Sequence, residues 1–425
     1  MRKINTIILL SILIIFNIAP AAKAQVNPKA VSADSVVLMD ATTGKILYEK
    51  NKDSAYPPAS TTKIMTILLT LEKTKLDDIV TVSKNASLAD GSKIYIREDE
   101  KISVKELLYG LTLASANDCA IALAEHVSGS VEEFAKLMNE RAKSLGCNNT
   151  NFVNPNGLYD VNHKTSAYDL SLIMQELTKH DVYKEIAMTS SYLMAPTNKC
   201  EDKRPLWNGN RLIQKGDAYY YEDCIGGKTG YTVQSKHSYI AVATRNGQKL
   251  IVALVHDSQK TFFKDSRDLL DYGFDNYELY KYFNKGDEVS NLTLQDGTVL
   301  PLLASKDLYI VKAKNTTPSP VVKLSETNSD KLSIKKGDVV SNSTITFDKD
   351  SYNLDLSSGI DYAKKSSLGN MFSKNNAKKS SLLLNIMKYV IVALVVFIIF
   401  MRIRKAKRRR RRKLDSYINN FTDRR

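Results

Sequence analysis

The sequence predicts a mixed α/β (α+β) protein in which an antiparallel sheet covered by helices precedes a small all-β domain and a C-terminal transmembrane helix. Three observations support this prediction. Two strand hairpins enclose a long stretch of helical pattern, short apolar runs without helical period follow from about residue 282, and residues 382–401 form one apolar span. The order of these features along the chain therefore sets the expected architecture.

Both hairpins carry turn residues between two apolar runs. Residues 35–40 and 45–50 flank Ala-Thr-Thr-Gly, whereas residues 239–244 and 249–255 flank Asn246-Gly247, one of the strongest hairpin signals. The intervening chain predicts helices, among them residues 104–114, 117–127 and 131–145. We therefore expect strands from both ends of this region to meet in one sheet.

The composition divides the chain into segments. Residues 25–280 carry the mixed pattern and form the expected principal domain. Short apolar runs separated by Gly, Asn, Asp and Pro predict a small all-β domain over residues 282–356. Residues 357–381, rich in Ser, Lys, Gly and Asn, are typical of a flexible stalk.

The two termini indicate export and membrane attachment. Residues 1–24 begin with Arg2-Lys3, continue through an apolar run and end in Ala22-Lys-Ala24, the pattern of a signal peptide. Residues 382–401 have the length of a bilayer-spanning helix. Because the following tail, residues 402–425, is rich in Arg and Lys, we expect a single-pass protein of the cell membrane with a cytoplasmic tail and all preceding residues outside.

The charge is concentrated in that tail. Of the formal net charge of +15, the basic residues of 402–413 supply 10, and residues 25–387 are left with +1. The exported part therefore has no excess of positive charge for nucleic acid, and no nucleic-acid partner is expected. The tail could itself bind RNA, but its place beside the span favours contact with anionic lipids.

Three short strings carry the chemistry of the sequence. Ser60-Thr-Thr-Lys63 supplies a hydroxyl nucleophile with a lysine three residues later, Ser115-Ala-Asn117 a second polar cluster, and Lys228-Thr-Gly230 a cationic strand edge suited to a carboxylate. Each string alone has an ordinary explanation, since Ser-x-x-Lys arises by chance and Lys-Thr-Gly commonly forms a turn. Their combination predicts an active-site serine acyltransferase.

The sequence around Ser60 favours a reactive serine. Pro57-Pro58-Ala59 is extended chain, and residues 64–71 are apolar on nearly all sides, so Ser60 should begin a buried helix on which Lys63 can reach its hydroxyl. A serine N-cap beside a lysine that extends to solvent is the alternative. Burial and a second lysine, Lys228, would keep Lys63 neutral, as a general base requires.

With these motifs the chain resembles the low-molecular-weight penicillin-binding proteins that are D-alanyl-D-alanine carboxypeptidases, serine enzymes of the β-lactamase and transpeptidase-like fold. The resemblance covers about residues 30–350. Four further strings support it, namely Tyr56-Pro-Pro-Ala-Ser60-Thr-Thr-Lys63, Asn154-Pro-Asn-Gly-Leu158, Gly227-Lys-Thr-Gly-Tyr-Thr232 and Leu269-Leu-Asp-Tyr-Gly-Phe274.

The resemblance implies a role for each motif residue. Ser60 is the acylated nucleophile, Lys63 is its base, and Ser115 and Asn117 form the second catalytic element. The implied reaction releases the last D-alanine from a peptidoglycan stem peptide that ends in D-Ala-D-Ala, through an acyl-enzyme that water hydrolyses. β-Lactam antibiotics such as penicillin would acylate the same serine.

The strand motif is implied to bind the substrate. Lys228 and Thr229 hold the terminal carboxylate, with Gly230 and Tyr231 beside them, and the backbone N–H groups of Ser60 and Tyr231 form the oxyanion hole. No metal or other cofactor is expected, because the five histidines show no paired ligand spacing. The sequence leaves the stem-peptide diamino acid and the oligomeric state open.

The sequence departs from the family pattern in two places, and the first is Ser235-Lys236-His237, which follows Gly-Tyr-Thr where the family often shows Ala-Gly. Aligned on Leu269-Leu270, Phe262 stands where many members carry a carboxylate-binding Arg. Lys260 and Lys264 are the candidates to replace that cation, or both are ordinary surface lysines. Lys260 is favoured on the assumption that residues 260 and 262 share one face of a strand.

Two other functions and one disulfide remain open. A β-lactamase would share the fold, but no Glu-x-x-Leu-Asn string is present, and a non-catalytic wall-binding protein would be expected to lack a catalytic group. Cys119 is expected to be a buried thiol, because it follows Asn117 on an apolar helix. Cys200 and Cys224 flank a polar segment and could pair in an exported protein.

Overall fold

The computed structural model describes residues 28–325, 333–347, 349–363 and 377–422. The predicted signal peptide, and residues 364–376 of the predicted stalk, lie outside the described residues. The chain divides into two compact units. The larger contains the chain up to Lys285 together with Lys306–Val321 and Ile345–Tyr352, and the smaller contains Gly286–Ser305, Val322–Thr344 and the chain from Asn353 onward.

The described strands are β1 (Ser35–Asp40), β2 (Ile46–Lys50), β3 (Ile79–Thr81), β4 (Lys101–Ser103), β5 (Ser191–Met194), β6 (Arg204–Trp207), β7 (Cys224–Thr232), β8 (Lys236–Arg245), β9 (Gln248–Asp257), β10 (Tyr277–Phe283), β11 (Glu288–Thr293), β12 (Val299–Ala304), β13 (Leu308–Ala313), β14 (Val321–Leu324), β15 (Ser333–Ile334), β16 (Val339–Phe347), β17 (Asp350–Ser358) and β18 (Tyr362–Ala363). The described α-helices are α1 (Lys63–Lys73), α2 (Lys84–Ser87), α3 (Val104–Leu113), α4 (Asn117–Ser128), α5 (Val131–Ser144), α6 (Ala167–Leu177), α7 (Asp181–Ala187), α8 (Phe262–Asn276) and α9 (Ala377–Thr422), with short 3-10 helices at Ala59–Thr62 and Arg211–Ile213.

The larger unit is built on a five-stranded antiparallel sheet in the order β2-β1-β9-β8-β7. Both predicted hairpins are confirmed. Asn246 and Gly247 have φ of 50° and 80°, the left-handed backbone that a two-residue hairpin turn demands. In this order β7, which pairs with β8, lies at one edge of the sheet.

The sheet is covered on both faces, which explains why β8 and β9 are apolar without alternation. Ile240, Val242 and Ile251 face one cluster of buried side chains, to which helices α1 and α3–α7 contribute. Ala241 and Val252 face the opposite cluster, which contains the apolar face of α8. The expected antiparallel sheet covered by helices is therefore confirmed.

Helix α1 lies at the centre of the first cluster. Every residue from Lys63 to Thr70 is buried, as expected for a helix that is apolar on nearly all sides. Helices α3, α4 and α5 match the three predicted helical stretches to within two residues. Lys63 is the one charged side chain in the buried part of α1, and its first turn follows directly from the 3-10 helix that carries Ser60.

The chain after β10 is mostly strand, as the composition predicts. A second sheet has the order β11-β12-β17-β16-β14. Strand β13 follows the boundary expected from the sequence, but it pairs with β10 within the larger unit. Strands β17 and β18 extend to residue 363, beyond the expected end of this region at residue 356.

Helix α9 contains the predicted span. Leu384–Arg410 is long and apolar enough to cross a membrane, with a mean hydropathy of 2.5 over its most apolar window. Its apolar side chains are exposed, so no protein core among the described residues covers them. The helix continues through the basic residues to Thr422, a regular structure that the sequence analysis did not assign to the tail.

Candidate active site

Ser60 lies in the 3-10 helix immediately before α1, where the sequence predicts it. The preceding residue, Ala59, has a φ of 51°, a left-handed conformation that is strained for a residue with a Cβ. Two side-chain hydrogen bonds stabilise this turn: Thr61 Oγ1 donates to Pro58 O and Thr62 Oγ1 donates to Ala59 O, each at 2.8 Å. The turn presents Ser60 at the surface while Ala59, Thr61 and Thr62 are buried.

The amine of Lys63 is surrounded by three oxygen atoms. Nζ lies 2.9 Å from Ser60 Oγ, 2.7 Å from Asn117 Oδ1 and 2.6 Å from Asn156 O. The two carbonyl oxygens can only accept, so they bind two N–H groups of the amine. In a neutral amine the remaining position is the lone pair, which then faces the Ser60 hydroxyl.

Burial favours that neutral state. The Lys63 side chain is fully buried, and desolvation holds the pKa of its amine well below the ordinary lysine value. The positive charge of Lys228 lowers the pKa of Lys63 further. The pKa of Lys228 itself falls to about 7 because that side chain is also buried. The expected pair of lysines is thus present, with burial as the larger influence on Lys63.

Asn117 and Ser115 come from the junction between α3 and α4. Asn117 is the first residue of α4, and its Nδ2 donates to Asp90 O at 2.6 Å, which turns Oδ1 toward Lys63. Its backbone N–H donates to Ser92 O at 2.6 Å. Ser115 has a φ of 58°, a strained backbone that turns the chain between the helices.

The Lys228-Thr-Gly230 string lies on the edge strand β7, as predicted. Lys228 Nζ donates to Thr229 O at 2.8 Å and is 4% exposed. Gly230 allows the strand to approach the serine turn, because a Cβ there would lie 2.8 Å from both Ser60 N and Pro58 O. The absence of a side chain at residue 230 therefore brings the β7 backbone beside Ser60.

A cavity of about 580 Å³ opens in front of Ser60. Five predicted site residues line it: Ser60, Ser115, Thr229, Gly230 and Tyr231. Ser115 and Thr229 also line a neighbouring cavity of about 240 Å³, together with Lys228. Lys63 and Asn117 are buried and hydrogen-bonded to each other, and Lys63 reaches the cavity wall through Ser60. The structure thus brings all eight predicted residues to one place, five of them on the surface that a substrate can reach.

Phe262 does not lie on a strand, as the sequence analysis assumed. Phe262 begins helix α8 instead of continuing a strand, so the argument that residues 260 and 262 share a strand face is wrong. Lys260 lies in the preceding bend with a φ of 57° and still lines the cavity. Lys264 is on the helix and pairs with Asp268 at 2.8 Å. Of the two candidate lysines, only Lys260 borders the site.

For several residues of this site, nothing in the sequence indicated that they would lie there. Asn156 contributes its backbone carbonyl, and the neighbouring Gly157, with a φ of 83°, marks the tight turn of the Asn-Pro-Asn-Gly string. Arg211 also lines the cavity, where its Nε donates to Asp217 at 2.7 Å and its guanidinium lies 4.5 Å from the centre of the Tyr219 ring. A single Arg outside any motif gives no sequence signal for such a place.

The four cysteines all fall within the described residues and are free thiols. Cys119 is buried, as expected. Cys200 and Cys224 are not joined, which answers the question that the sequence left open. The Cys224 thiol is 3.5 Å from Gly226 O at the start of β7, and burial raises its pKa to about 11.

Comparisons with known proteins agree with this geometry. The family described as D-alanyl-D-alanine carboxypeptidase matches residues 21–259. The chain is 35% identical to D-alanyl-D-alanine carboxypeptidase DacF of Bacillus subtilis (strain 168) over 79% of this chain and 84% of that protein. It is also 35% identical to DacC of Escherichia coli (strain K12), over 61% of this chain and 65% of that protein.

A solved structure supports the same assignment. The crystal structure of penicillin-binding protein 5 from Haemophilus influenzae superposes with a TM-score of 0.68 at 30% sequence identity, covering 80% of this chain and all of that one. The β-lactamase and transpeptidase-like fold expected from the motifs is thereby confirmed. By its family match, its relatives and its fold, the chain belongs to the D-alanyl-D-alanine carboxypeptidase family of serine peptidases.

Proposed function

We propose that this peptidase removes the terminal D-alanine from peptidoglycan stem peptides through an acyl-enzyme on Ser60. One observation carries the proposal: two carbonyl oxygens occupy the N–H groups of Lys63, which leaves the lone pair of a neutral amine directed at Ser60 Oγ, 2.9 Å away. This is the arrangement that a lysine base needs in order to remove the hydroxyl proton.

Acylation follows from this starting point. As Lys63 Nζ takes the Ser60 proton, Oγ attacks the carbonyl carbon of the penultimate D-alanine. The backbone N–H groups of Ser60 and Tyr231 stabilise the oxyanion of the tetrahedral intermediate. Ser115 relays a proton from Lys63 to the departing amine, so that D-alanine leaves with a neutral amino group and Lys63 regains its lone pair.

Hydrolysis completes the cycle. A water molecule, deprotonated by Lys63, attacks the Ser60 ester, and the proton returns to Ser60 Oγ as the shortened peptide leaves. A β-lactam carries a strained amide in place of the peptide bond, so that Ser60 would open the ring and retain the product as an ester. The same serine therefore accounts for both peptide cleavage and penicillin binding.

Recognition of the substrate depends on its free carboxylate. Lys228 and Thr229 lie on β7 beside the serine, and Lys260 borders the same cavity without an ion-pair partner among the described residues. Arg211 is less available, because Asp217 already pairs with it at 2.7 Å. We therefore assign the carboxylate to Lys228 and Thr229, with Lys260 as the additional cation that compensates for Phe262.

The first prediction concerns the nucleophile. Ser60→Ala should abolish both D-alanine release and labelling by a fluorescent penicillin, because Ser60 is the one hydroxyl among the described residues that is hydrogen-bonded to the Lys63 amine. Ser92→Ala provides the matched control, since this serine lines the same cavity and has no part in the mechanism. Covalent label on another residue of the Ser60→Ala protein, located by peptide mass spectrometry, would contradict the assignment.

The second prediction concerns the protonation of Lys228. Above a pH of about 7 the amine of Lys228 loses its charge in the free enzyme and with it the attraction for a carboxylate. The ratio of kcat/KM for a D-Ala-D-Ala peptide to kcat/KM for its C-terminal amide should therefore fall as pH rises through this value. The ratio removes the effect of Lys63, which acts on both substrates. A ratio that stays constant between pH 6 and 9 would show that Lys228 does not bind the carboxylate.

The third prediction separates Lys260 from Lys264. Lys260→Ala should lower kcat/KM for the D-Ala-D-Ala peptide by roughly five- to tenfold, mainly through KM, because it removes one partly screened charge from the carboxylate site. Lys264→Ala should stay within about twofold, since that lysine pairs with Asp268 on α8. If both variants remain within about threefold of wild type, the site relies on Lys228 and Thr229 alone.

The fourth prediction concerns topology. We infer that α9 anchors the protein with its basic end in the cytoplasm and the peptidase outside. A chain ending at Ser380 should then be secreted as a soluble enzyme with the activity of the full chain. In cells stripped of their wall, added protease should digest the full-length peptidase units and spare the tail. Membrane retention of the shortened chain would reveal a second anchor.

A further inference from the structure

His163 is a buried side chain that the mechanism above does not use. It is 1% exposed and lies in the segment of residues 154–163, which begins with the Asn154–Leu158 string. The backbone N–H of Val153 donates to its Nδ1 at 3.0 Å, so Nδ1 carries no proton. The ring proton is therefore on Nε2, which lies 2.8 Å from Thr62 Oγ1. This environment selects one tautomer of the imidazole.

The hydrogen bonds continue in one direction from His163 to the serine turn. Thr62 Oγ1 uses its single proton to donate to Ala59 O at 2.8 Å, so it must accept from His163 Nε2–H. Ala59 is the strained residue, with a φ of 51°, whose carbonyl group joins it to Ser60. A chain of three donors thus ends on the peptide group that orients the nucleophile.

The segment that contains His163 also contacts Lys63, the proposed base. Gly157 packs on the same Ala59 carbonyl, where a Cβ would lie 1.9 Å from the oxygen, and the adjacent Asn156 accepts from Lys63 Nζ at 2.6 Å. The segment therefore contacts the serine backbone through His163 and Gly157 and the lysine through Asn156. A hydrogen bond that fixes the segment against the serine turn fixes the distance between Ser60 and Lys63 as well.

We propose that His163, as the neutral Nε2–H tautomer, is a positioning residue that holds the Ala59–Thr62 turn so that Ser60 Oγ stays aligned with the Lys63 amine. This inference rests on the proposed role of Ser60 as nucleophile and Lys63 as base. It assigns His163 no contact with the substrate. Its effect is on the acylation step, because small displacements of a nucleophile relative to its base slow proton transfer and attack.

The charges around His163 favour its neutral state. The pKa of His163 falls to about 4, mainly because the ring is buried, and the carboxylate of Asp160 only partly opposes this effect. The Phe152 ring, 5.6 Å away between centres, adds apolar surface. Protonation would place a second N–H against the Val153 N–H. The hydrogen-bond chain is therefore intact at every pH at which the peptidase is expected to work.

Two substitutions test the direction of the hydrogen bonds that run from His163 to Ala59. His163→Gln can keep a donor near the Nε2 position and so preserve the bond to Thr62, whereas His163→Asn can keep only the acceptor for Val153. Acylation by a fluorescent penicillin is followed by rapid mixing, and burst titration gives the fraction of active molecules. We expect His163→Asn to lower the acylation rate constant per active molecule by about tenfold or more, with little change in initial affinity, and His163→Gln to stay within about threefold.

Thr62 provides the coupling test. Thr62→Val removes the hydroxyl at nearly constant volume and should slow acylation as much as His163→Asn does. The double variant should be no slower than either single variant, because both changes interrupt the same chain. His126→Asn, on the exposed side of α4, is the matched control and should react at the wild-type rate.

A further measurement checks the protonation state. Because the folded protein keeps His163 neutral below its ordinary pKa, the unfolded chain binds an extra proton as pH falls from about 6.5 to about 4, and the folded state loses stability over that range. The melting temperature of the wild type should therefore fall more between pH 7 and pH 4 than that of His163→Gln.

The outcomes distinguish this proposal from a purely structural role. Equal rate constants for the Asn, Gln and wild-type proteins, with only the active fraction or melting temperature reduced, would overturn the proposal. Equal slowing of the Asn and Gln variants would also overturn it, since the direction of the chain would then be irrelevant. If the wild type does not react with penicillin, the proposed function itself fails and the role of His163 fails with it.

Discussion

The arrangement of this site depends on one lysine amine inside an apolar core, where desolvation holds the pKa of Lys63 well below the ordinary lysine value. Lys63 stands on a helix whose neighbouring residues are buried on every side, and its amine meets Asn117 Oδ1 and Asn156 O as well as Ser60 Oγ. Those two acceptors come from separate parts of the chain, so the packing of α4 and of the Asn154–Leu158 segment against α1 is what completes the environment. The apolar core therefore serves chemistry as much as stability.

The edge of the sheet supplies the complementary surface. The hairpins on both sides of the helical region close a five-stranded sheet, and this leaves β7 at one edge. Gly230 lets this edge approach Ser60 to within a distance that a side chain would prevent. We infer that a peptide substrate would pair with β7 and so lie beside Ser60, on the strand that carries Lys228 and Thr229.

Much of this arrangement follows from the sequence, and the exceptions have physical causes. The hairpins, the central helix and the meeting of the three motifs are predicted by turn residues, apolar patterns and spacing. The Asn156 contact is made by a backbone carbonyl, which no residue type specifies. The strand assumed around Lys260 ends earlier, because Asp257 accepts from the N–H groups of Gln259 and Thr261 and so bends the chain into α8.

The small all-β region shows a second reason why some elements could not be predicted from the sequence. Residues 338–340 and 343–347 appear as separate apolar runs, yet β16 is one strand over Val339–Phe347. Ser341 and Ser343 occupy inward-facing positions, where they are 7% and 1% exposed. Buried serines interrupt the alternation of apolar and polar residues that identifies a strand from sequence.

The proposed carboxylate site couples the two buried lysines, Lys63 and Lys228, to each other. When a carboxylate reaches Lys228, it favours the charged amine there, and the two opposite charges largely cancel at a distance. The effect of Lys228 on the pKa of Lys63 is then smaller in the complex than in the free protein. A base that relied on a neighbouring positive charge would become protonated when the substrate bound. Because desolvation is the larger cause of the low pKa of Lys63, we infer that the amine stays neutral at the moment when Ser60 must lose its proton.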